Sequence, residues 1–530
     1  MRACFRGSER GTRVESNEWE IFMSRTGKTA INSIVGLGCS VLSSLLSFVL
    51  RAQFIRLLGL EYAGINTLFS DILSILNLAE LGFNNAILYR LYKSIAGNDK
   101  EKTELYLATY RKLCVAVGAF VGIVGLCFIP FLGSFINKTP TFSEPLWSLY
   151  VIVLITSVAN HCLNYKSILL IAKQDRYIAT AVQYLGIFLR NGLQIAVLAI
   201  FKNIYLYLLV ALFTTILNGL LNGVASNKRY NETWRSDKKL DKAERNSIVK
   251  DVGALSIYKL CRTIDATIDT FLISKFVDVT VTAIYGSVTM LLNALNELLG
   301  VFNDAMIASI GDLNASHGKN ELEKIFYQSF HFTFLIYGIC TATLVPFLSE
   351  FTNWWIGYTL DAWCIYIMLL NFLMYGFGMN VATFRNAMGI FQKGWIRPAF
   401  TAAFNLVFSF ILVNRIGLLG TLFGTMIART LTLVWYDPWL VLHHGMHSSA
   451  GKYYIRYVLY LLFVTAAATG AAFICAYLPM AHGLFALLLR GFVSLAVSTG
   501  IVIALGFVVP EQKAILARAA QLAKSILRKK

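Results

Sequence analysis

Fourteen apolar runs, most of them about 20 residues long and almost free of charge, leave this chain few ways to fold. A helix of that length, rising about 1.5 Å per residue, crosses a hydrocarbon core of roughly 30 Å and satisfies its own backbone hydrogen bonds. A membrane β-barrel would show runs of about 10 residues with alternating polarity, which are not seen. Only 14% of the residues are charged and 57% are hydrophobic, whereas soluble proteins carry about 25% charge. The expected fold class is therefore all-α and polytopic. The runs lie near 30–58, 62–89, 113–136, 146–170, 177–200, 203–225, 251–274, 280–310, 327–349, 361–384, 396–413, 417–437, 454–478 and 483–509.

The net charge of +18 collects in short segments between the runs. One alternate set of loops is rich in Lys and Arg. It includes the N-terminus, the segment Arg90 to Lys112, the segment 226–250 and the tail from Glu511. The other set holds about one basic residue each: Lys138, Lys202, Lys275 and Arg415. The positive-inside rule then places both termini in the cytoplasm and requires an even number of spans. The basic charge is expected to meet anionic lipid headgroups, and no nucleic acid is implied. The nine cysteines are scattered without a CxxC pair, so neither a disulfide framework nor a zinc site is expected. MSRTGKTAIN from Met23 reads as a natural start, with residues 1–22 an upstream extension. Ile515, Leu516, Ala519, Leu522 and Ile526 share one face of an expected surface helix in the tail.

Arg51 breaks the first run. A helix from Ala30 to Leu58 would be about 43 Å long, with Arg51 in its outer half. A guanidinium facing lipid there is costly, so Arg51 either lines a wet cavity or snorkels to the outer headgroups.

The chain also repeats itself. Phe54-Ile55 is answered by Phe271-Leu272, Gly64 by Gly286, Asn84-Asn85-Ala86 by Asn303-Asp304-Ala305, and YKSILLIAKQDRYI from Tyr165 by FRNAMGIFQKGWI from Phe384. The offsets are all about 217–222 residues. Six spans thus mirror the next six in the same orientation, and two spans follow. The expected organisation is an N-terminal extension (1–29), an N-lobe (30–225), a basic cytoplasmic linker (226–250) and a C-lobe (251–437). A final pair of spans with its preceding loop (438–509) and a basic tail (510–530) complete it. Two pseudo-symmetric lobes suit alternating access around a central cationic cavity.

FIRLLGLEYAGINTLFSDILSILNLAELGFNNAILYRLY and the long stretch from Phe384 to Trp439 resemble polysaccharide-repeat-unit (O-antigen/capsule, Wzx-type) flippases. These belong to the multidrug/oligosaccharidyl-lipid/polysaccharide exporter superfamily, and the six-plus-six-plus-two plan agrees. The resemblance runs from about Met23 to the end. It implies movement of an undecaprenyl-pyrophosphate-linked oligosaccharide from the inner to the outer leaflet of the bacterial cell membrane. It also implies a lipid-linked oligosaccharide and membrane lipids as partners, with a polysaccharide polymerase and glycosyltransferases in the same route. Lipid II flippases of the superfamily carry an Arg late in the first helix, and Arg51 falls in the matching place. Some members bind sodium with acids of the seventh helix, which Asp265 and Asp269 match loosely.

A pyrophosphate cargo needs cations in a low-dielectric cavity, and Arg offers a planar fork matched to phosphate oxygens. Arg51, Arg190 and Arg429 lie inside spans and are the candidates, with a buried pair with an acid on another helix as the alternative for Arg190 and Arg429. Lys166 and Arg385 occupy matching cytoplasmic ends of spans four and ten. They are either phosphate contacts or ordinary positive-inside anchors. Asp265 and Asp269, at i and i+4, share a helix face deep in span seven. They suit H+ or Na+ coupling, unless Arg262 neutralises Asp265. Asp71, Glu80 and Glu297 are weaker candidates of the same kind. Asn66, Asn77, Asn84, Asn293, Asn296 and Asn303 are read as a sugar path or as interhelical glue. His443, His444 and His447 read as a solvated loop, with no third metal ligand in view. The Trp354-Trp355 pair reads as an interfacial anchor.

The short external loops leave little room for acid/base residues, and no nucleotide-binding or zinc-protease motif appears. A flippase, not an enzyme, is the expected function. A drug or metabolite exporter on the same scaffold and a polymerase or glycosyltransferase are the alternatives.

Overall fold

The computed structural model describes residues 36–517 except 37, 78–80, 139, 231, 237, 239, 317–318, 391–393, 395 and 479–482. Helices account for nearly all of it, and no strand occurs among the described residues. The chain runs through α1 (Gly38–Leu58), α2 (Leu60–Leu76), α3 (Leu81–Ala96), α4 (Lys100–Phe128), α5 (Leu146–Leu163) and α6 (Ser167–Ala172). There follow α7 (Arg176–Phe201), α8 (Ile204–Arg229), α9 (Lys242–Phe276), α10 (Val279–Ser316), α11 (Lys319–Ile356) and α12 (Ala362–Ala387). The remainder comprises α13 (Arg397–Ile416), α14 (Leu418–Arg429), α15 (Tyr436–Trp439), α16 (Gly451–Ala476) and α17 (Leu484–Gly506).

Helices stand where all fourteen spans are expected, and twelve of them are long and apolar enough to cross a membrane. The two that fall short are the second, made of α2 and α3, and the seventh, α9. The former comprises helices of only 17 and 16 residues, each shorter than a span needs, and the latter carries Lys259, Arg262, Asp265 and Asp269. Polar groups inside a spanning helix mark functional sites more often than structural accidents.

The connections end helices by local chemistry. Asp99, Asn203, Asp278 and Asp361 each precede a helix and accept a first-turn N–H, from Lys102 (3.0 Å), Leu206 (3.2 Å), Thr280 (2.8 Å) and Trp363 (2.9 Å). That N–H from Lys102 holds the exposed Asp99 carboxyl below its usual range. Gly59, at φ +100°, breaks α1 from α2 in a conformation that side chains avoid.

Several boundaries differ from the sequence reading. Span twelve does not end at Asp437 but continues through two π-helical segments, Thr430–Val434 and Leu440–Met446, on either side of α15. His443 and His444 therefore lie on a helix end, not in a loop. The basic segment 226–250 is mostly helical, because α8 runs to Arg229 and α9 starts at Lys242. Hydropathy marks where lipid ends, and a helix in water needs no apolar residues to continue.

The chain divides into two compact units. The first takes residues 1–53, 83–122 and 154–248. Here Asn191 donates to Ser47 (3.0 Å) and Gln53 to the Ile195 carbonyl (3.3 Å), tying α1 to α7. The segment after α8 is fastened down: Asp175 accepts from both Arg229 and Tyr230, Lys173 pairs with Glu232 (3.2 Å), and Trp234 packs edge-on against Tyr165.

The second unit takes residues 54–82, 123–153 and 249–530. Its core is aromatic. Phe326, Phe330 and Phe334 on α11, spaced by four, meet Tyr453 and Tyr460 of α16 and Phe377 and Phe384 of α12. Each such pair contributes about 0.5–1.5 kcal/mol beyond burial. His331 bonds Tyr460 (2.8 Å) and Gln512 (2.6 Å), and Arg456 pairs with Glu511 (2.6 Å). Residues 510–517 are helical, and Glu511 and Gln512 turn into the protein, so the start of the tail is anchored in it. Ala519, Leu522 and Ile526 of the expected surface helix lie outside the described residues. Large side chains such as Ile455, Tyr477 and Phe485 stay exposed, as a lipid-facing surface requires.

The same unit joins early and late spans at one of their ends. The α2–α10 crossing is so close that a Cβ at Gly64 would stand 1.9 Å from the Val279 carbonyl oxygen. Asn137 caps the end of α9 through the Ser274 (3.0 Å) and Val277 (2.8 Å) carbonyls. Lys138 pairs with Asp278 (3.6 Å), and Arg56 donates to the carbonyls of Trp354 (2.8 Å) and Trp355 (3.0 Å). Trp354 is exposed as an interfacial anchor should be, but Trp355 is buried.

Candidate functional site

Within the second unit lies a cavity of about 790 Å³, walled by α9, α10, α12, α13 and α14. Asp265 and Asp269 enter it from one face of α9, as their spacing predicts. Asp269 is buried. It accepts the Thr425 hydroxyl (2.8 and 3.0 Å to its two oxygens) and that of Tyr285 (3.3 Å). Asp265 accepts from Asn405 Nδ2 (3.2 Å) instead of pairing with Arg262, which lines the same cavity. Asn405 Oδ1 in turn lies 3.1 Å from Thr425 Oγ1 and accepts from Ser409 (2.7 Å). Two carboxylates, an amide and three hydroxyls thus converge. Their oxygens suit a proton or a small hard cation. Among the described residues no three His, Cys, Asp or Glu form a metal centre.

The rest of the wall is mixed. Arg429 donates to the Asn371 carbonyl (3.1 Å). Glu297, Asn293 and Asn296 face the cavity from α10. Arg385 and Arg397 also line it, and both reach Oδ2 of Asp437 at 3.0 Å. Arg385 is thus a buried, paired residue and does not snorkel. Asp71 bonds Thr270 on α9, next in the chain to Asp269, and lies within electrostatic reach of the cavity-lining Tyr285. Asn303 is buried on α10, and Asn66 and Asn77 are half-buried on and just after α2. Glu80 lies outside the described residues.

In the first unit, Arg51 is half-buried on α1 and Arg190 exposed on α7, and both lie within electrostatic reach of the Tyr207 phenol. Lys166, in a short 3₁₀ turn, reaches Asn227 Oδ1 at 3.4 Å. Asn84 accepts from Tyr110 (2.8 Å), which favours its reading as glue.

The sequence reading missed Tyr285, Asn405, Thr425, Arg397 and Asp437. A signal existed for Asn405 and Thr425. Asn405 and Ser409 on α13, and Thr421 and Thr425 on α14, repeat at i and i+4 inside apolar spans. Such polar stripes mark faces turned toward a partner.

The fold is shared with solved transporters. It is similar to the lipid II flippase MurJ in an inward closed conformation (TM-score 0.67, 11% identity, covering 88% of this chain and 98% of that one). It is also similar to an inward-facing MATE-family multidrug transporter of the MOP superfamily (0.61, 15%, 78% and 98%). A MOP superfamily transporter from Pyrococcus furiosus is a third (0.53, 16%, 79% and 95%). No curated protein matches the chain. The family described as polysaccharide biosynthesis protein matches residues 30–313, more than half the sequence, so this multi-pass membrane chain belongs to that family.

Proposed function

We propose that the protein is a secondary transporter that flips an undecaprenyl-pyrophosphate-linked oligosaccharide across the bacterial cell membrane. Movement runs from the cytoplasmic to the outer leaflet by alternating access, with both termini cytoplasmic. Family membership supports a role in surface polysaccharide synthesis. The fold likeness to a protein titled lipid II flippase supports the mode of action.

The observation that carries the reading is a separation of charge inside apolar spans. Arg51 and Arg190 gather beside Tyr207 in the first unit, while Asp265 and Asp269 meet only neutral hydrogen-bond donors in the second. Arginines draw in the diphosphate, and Lys166 meets it at the cytoplasmic entrance. Arg429 reaches Asp269 only electrostatically, and a buried carboxylate bonded to neutral donors is stable when it takes a proton or a cation, so an inward H+ or Na+ gradient resets the carrier.

Replacing Arg51 by Ala is expected to abolish surface polysaccharide with protein abundance unchanged. Normal polysaccharide in that mutant would refute the assigned role. Purified protein in liposomes, given lipid-linked sugar, is expected to translocate it unaltered. Elongation or cleavage of the sugar would instead show a polymerase or glycosyltransferase.

A further inference from the structure

We propose that Arg385 and Arg397 form a second phosphate-binding site, within the cavity of the second unit, held assembled by Asp437 as a resident counter-anion. The proposal rests on the reading of the chain as a prenyl-diphosphate carrier and adds a cation pair that this reading does not require.

The geometry is specific. Arg385 comes from α12 and Arg397 from the start of α13, and a nitrogen of each stands 3.0 Å from the same Asp437 oxygen. Asp437 is fully buried, and the two arginine side chains are only 4% and 12% exposed. One carboxylate thus faces two guanidiniums, and its other oxygen, Oδ1, has no hydrogen-bond partner among the described residues. Two guanidiniums converging on one carboxylate oxygen in a low-dielectric site attract an approaching anion strongly. Both arginines line the 790 Å³ cavity, and paired guanidinium forks fit phosphate oxygens. The acids of that cavity, Asp265, Asp269 and Glu297, stand on other helices, α9 and α10.

The chain reaches this arrangement by unusual winding. Asp437 sits in the four-residue α15, between π-helical segments and next to Pro438, which lacks an N–H. Single π turns inside α-helices recur at functional sites. By the Lys/Arg distribution this is the cytoplasmic end of the lobe, where a diphosphate would arrive.

The test is calorimetric titration of the full-length protein in detergent with farnesyl pyrophosphate and, separately, inorganic pyrophosphate. Arg397→Gln is expected to weaken binding at least tenfold. Arg397→Lys, which keeps the charge but loses the fork, should weaken it several-fold. Asp437→Asn keeps an acceptor oxygen for both arginines but removes the competing charge, and is expected to tighten binding several-fold. A purely structural ion network would not produce that opposite sign. Loss of farnesyl pyrophosphate binding alone would assign the site to lipid-linked diphosphate, and loss of both ligands to diphosphate in general; either supports the proposal. Affinities within twofold of wild type in all three variants would overturn it and leave the flippase reading intact. Absence of binding by the wild type would instead sink that reading, and this proposal with it. Should Arg397→Gln not purify folded, the Lys and Asn variants decide.

Discussion

Gly64 on α2 and Val279 at the start of α10 are in backbone contact: a Cβ added to Gly64 would lie 1.9 Å from the Val279 carbonyl oxygen. The surroundings close around that crossing, with Asn137 bonded to Ser274 and Val277, Lys138 to Asp278, and Arg56 to the end of α11. Gly64→Ala must push the helices apart, and overpacking of this kind costs about 1–3 kcal/mol. Cysteines placed at Asn137 and Ser274 on a cysteine-depleted background are expected to cross-link several-fold more slowly in the Gly64→Ala protein. Unchanged rates would mean that the crossing does not hold these helix ends together.

Asp269 carries the second prediction. Its hydrogen-bond partners Thr425 and Tyr285 are neutral donors and Arg429 acts on it only at electrostatic range, so a mobile cation would stabilise the ionised form. Asp269→Asn is expected to keep the hydrogen bonds and to lose gradient-driven transport in proteoliposomes by at least tenfold. Asp265→Asn, whose carboxylate meets Asn405, should lose less. Continued acceleration of Asp269→Asn by an imposed Na+ or H+ gradient would remove it from the coupling step.

The third prediction concerns pH. Burial pushes the Asp278 carboxyl up, but the Thr280 N–H and hydroxyl and Lys138 outweigh it and hold the group below its ordinary value of 3.8. A carboxyl depressed in the folded state adds stability above its unfolded pKa, and this is lost as pH falls through the folded value. Thermal unfolding in detergent should therefore show wild type more stable than Asp278→Asn at pH 7. The gap should shrink below about pH 4. A gap that persists at pH 2.5 would show that the turn is held by something other than this charge.

Much of this architecture was legible in advance because hydropathy and charge are local. Twenty apolar residues announce a span wherever they stand, and Asp265 and Asp269 betray a shared face by their spacing alone. Asp437 was not legible. It lies at the far limit of an apolar run and reads as the start of a loop, while its partners Arg385 and Arg397 are 52 and 40 residues away. Nothing in hydropathy distinguishes π from α winding, so its inward aim had no visible cause. Arg385, conversely, looked like a headgroup anchor because positive charge at a helix end usually is one.

The wound-out turns of span twelve also bear on how such a chain can change over generations. A residue lost between Arg429 and Tyr436 would turn everything beyond it by roughly 100° and swing Asp437 away from both arginines. Substitutions along this stretch would then be far better tolerated than insertions or deletions, even at positions whose side chains touch only lipid.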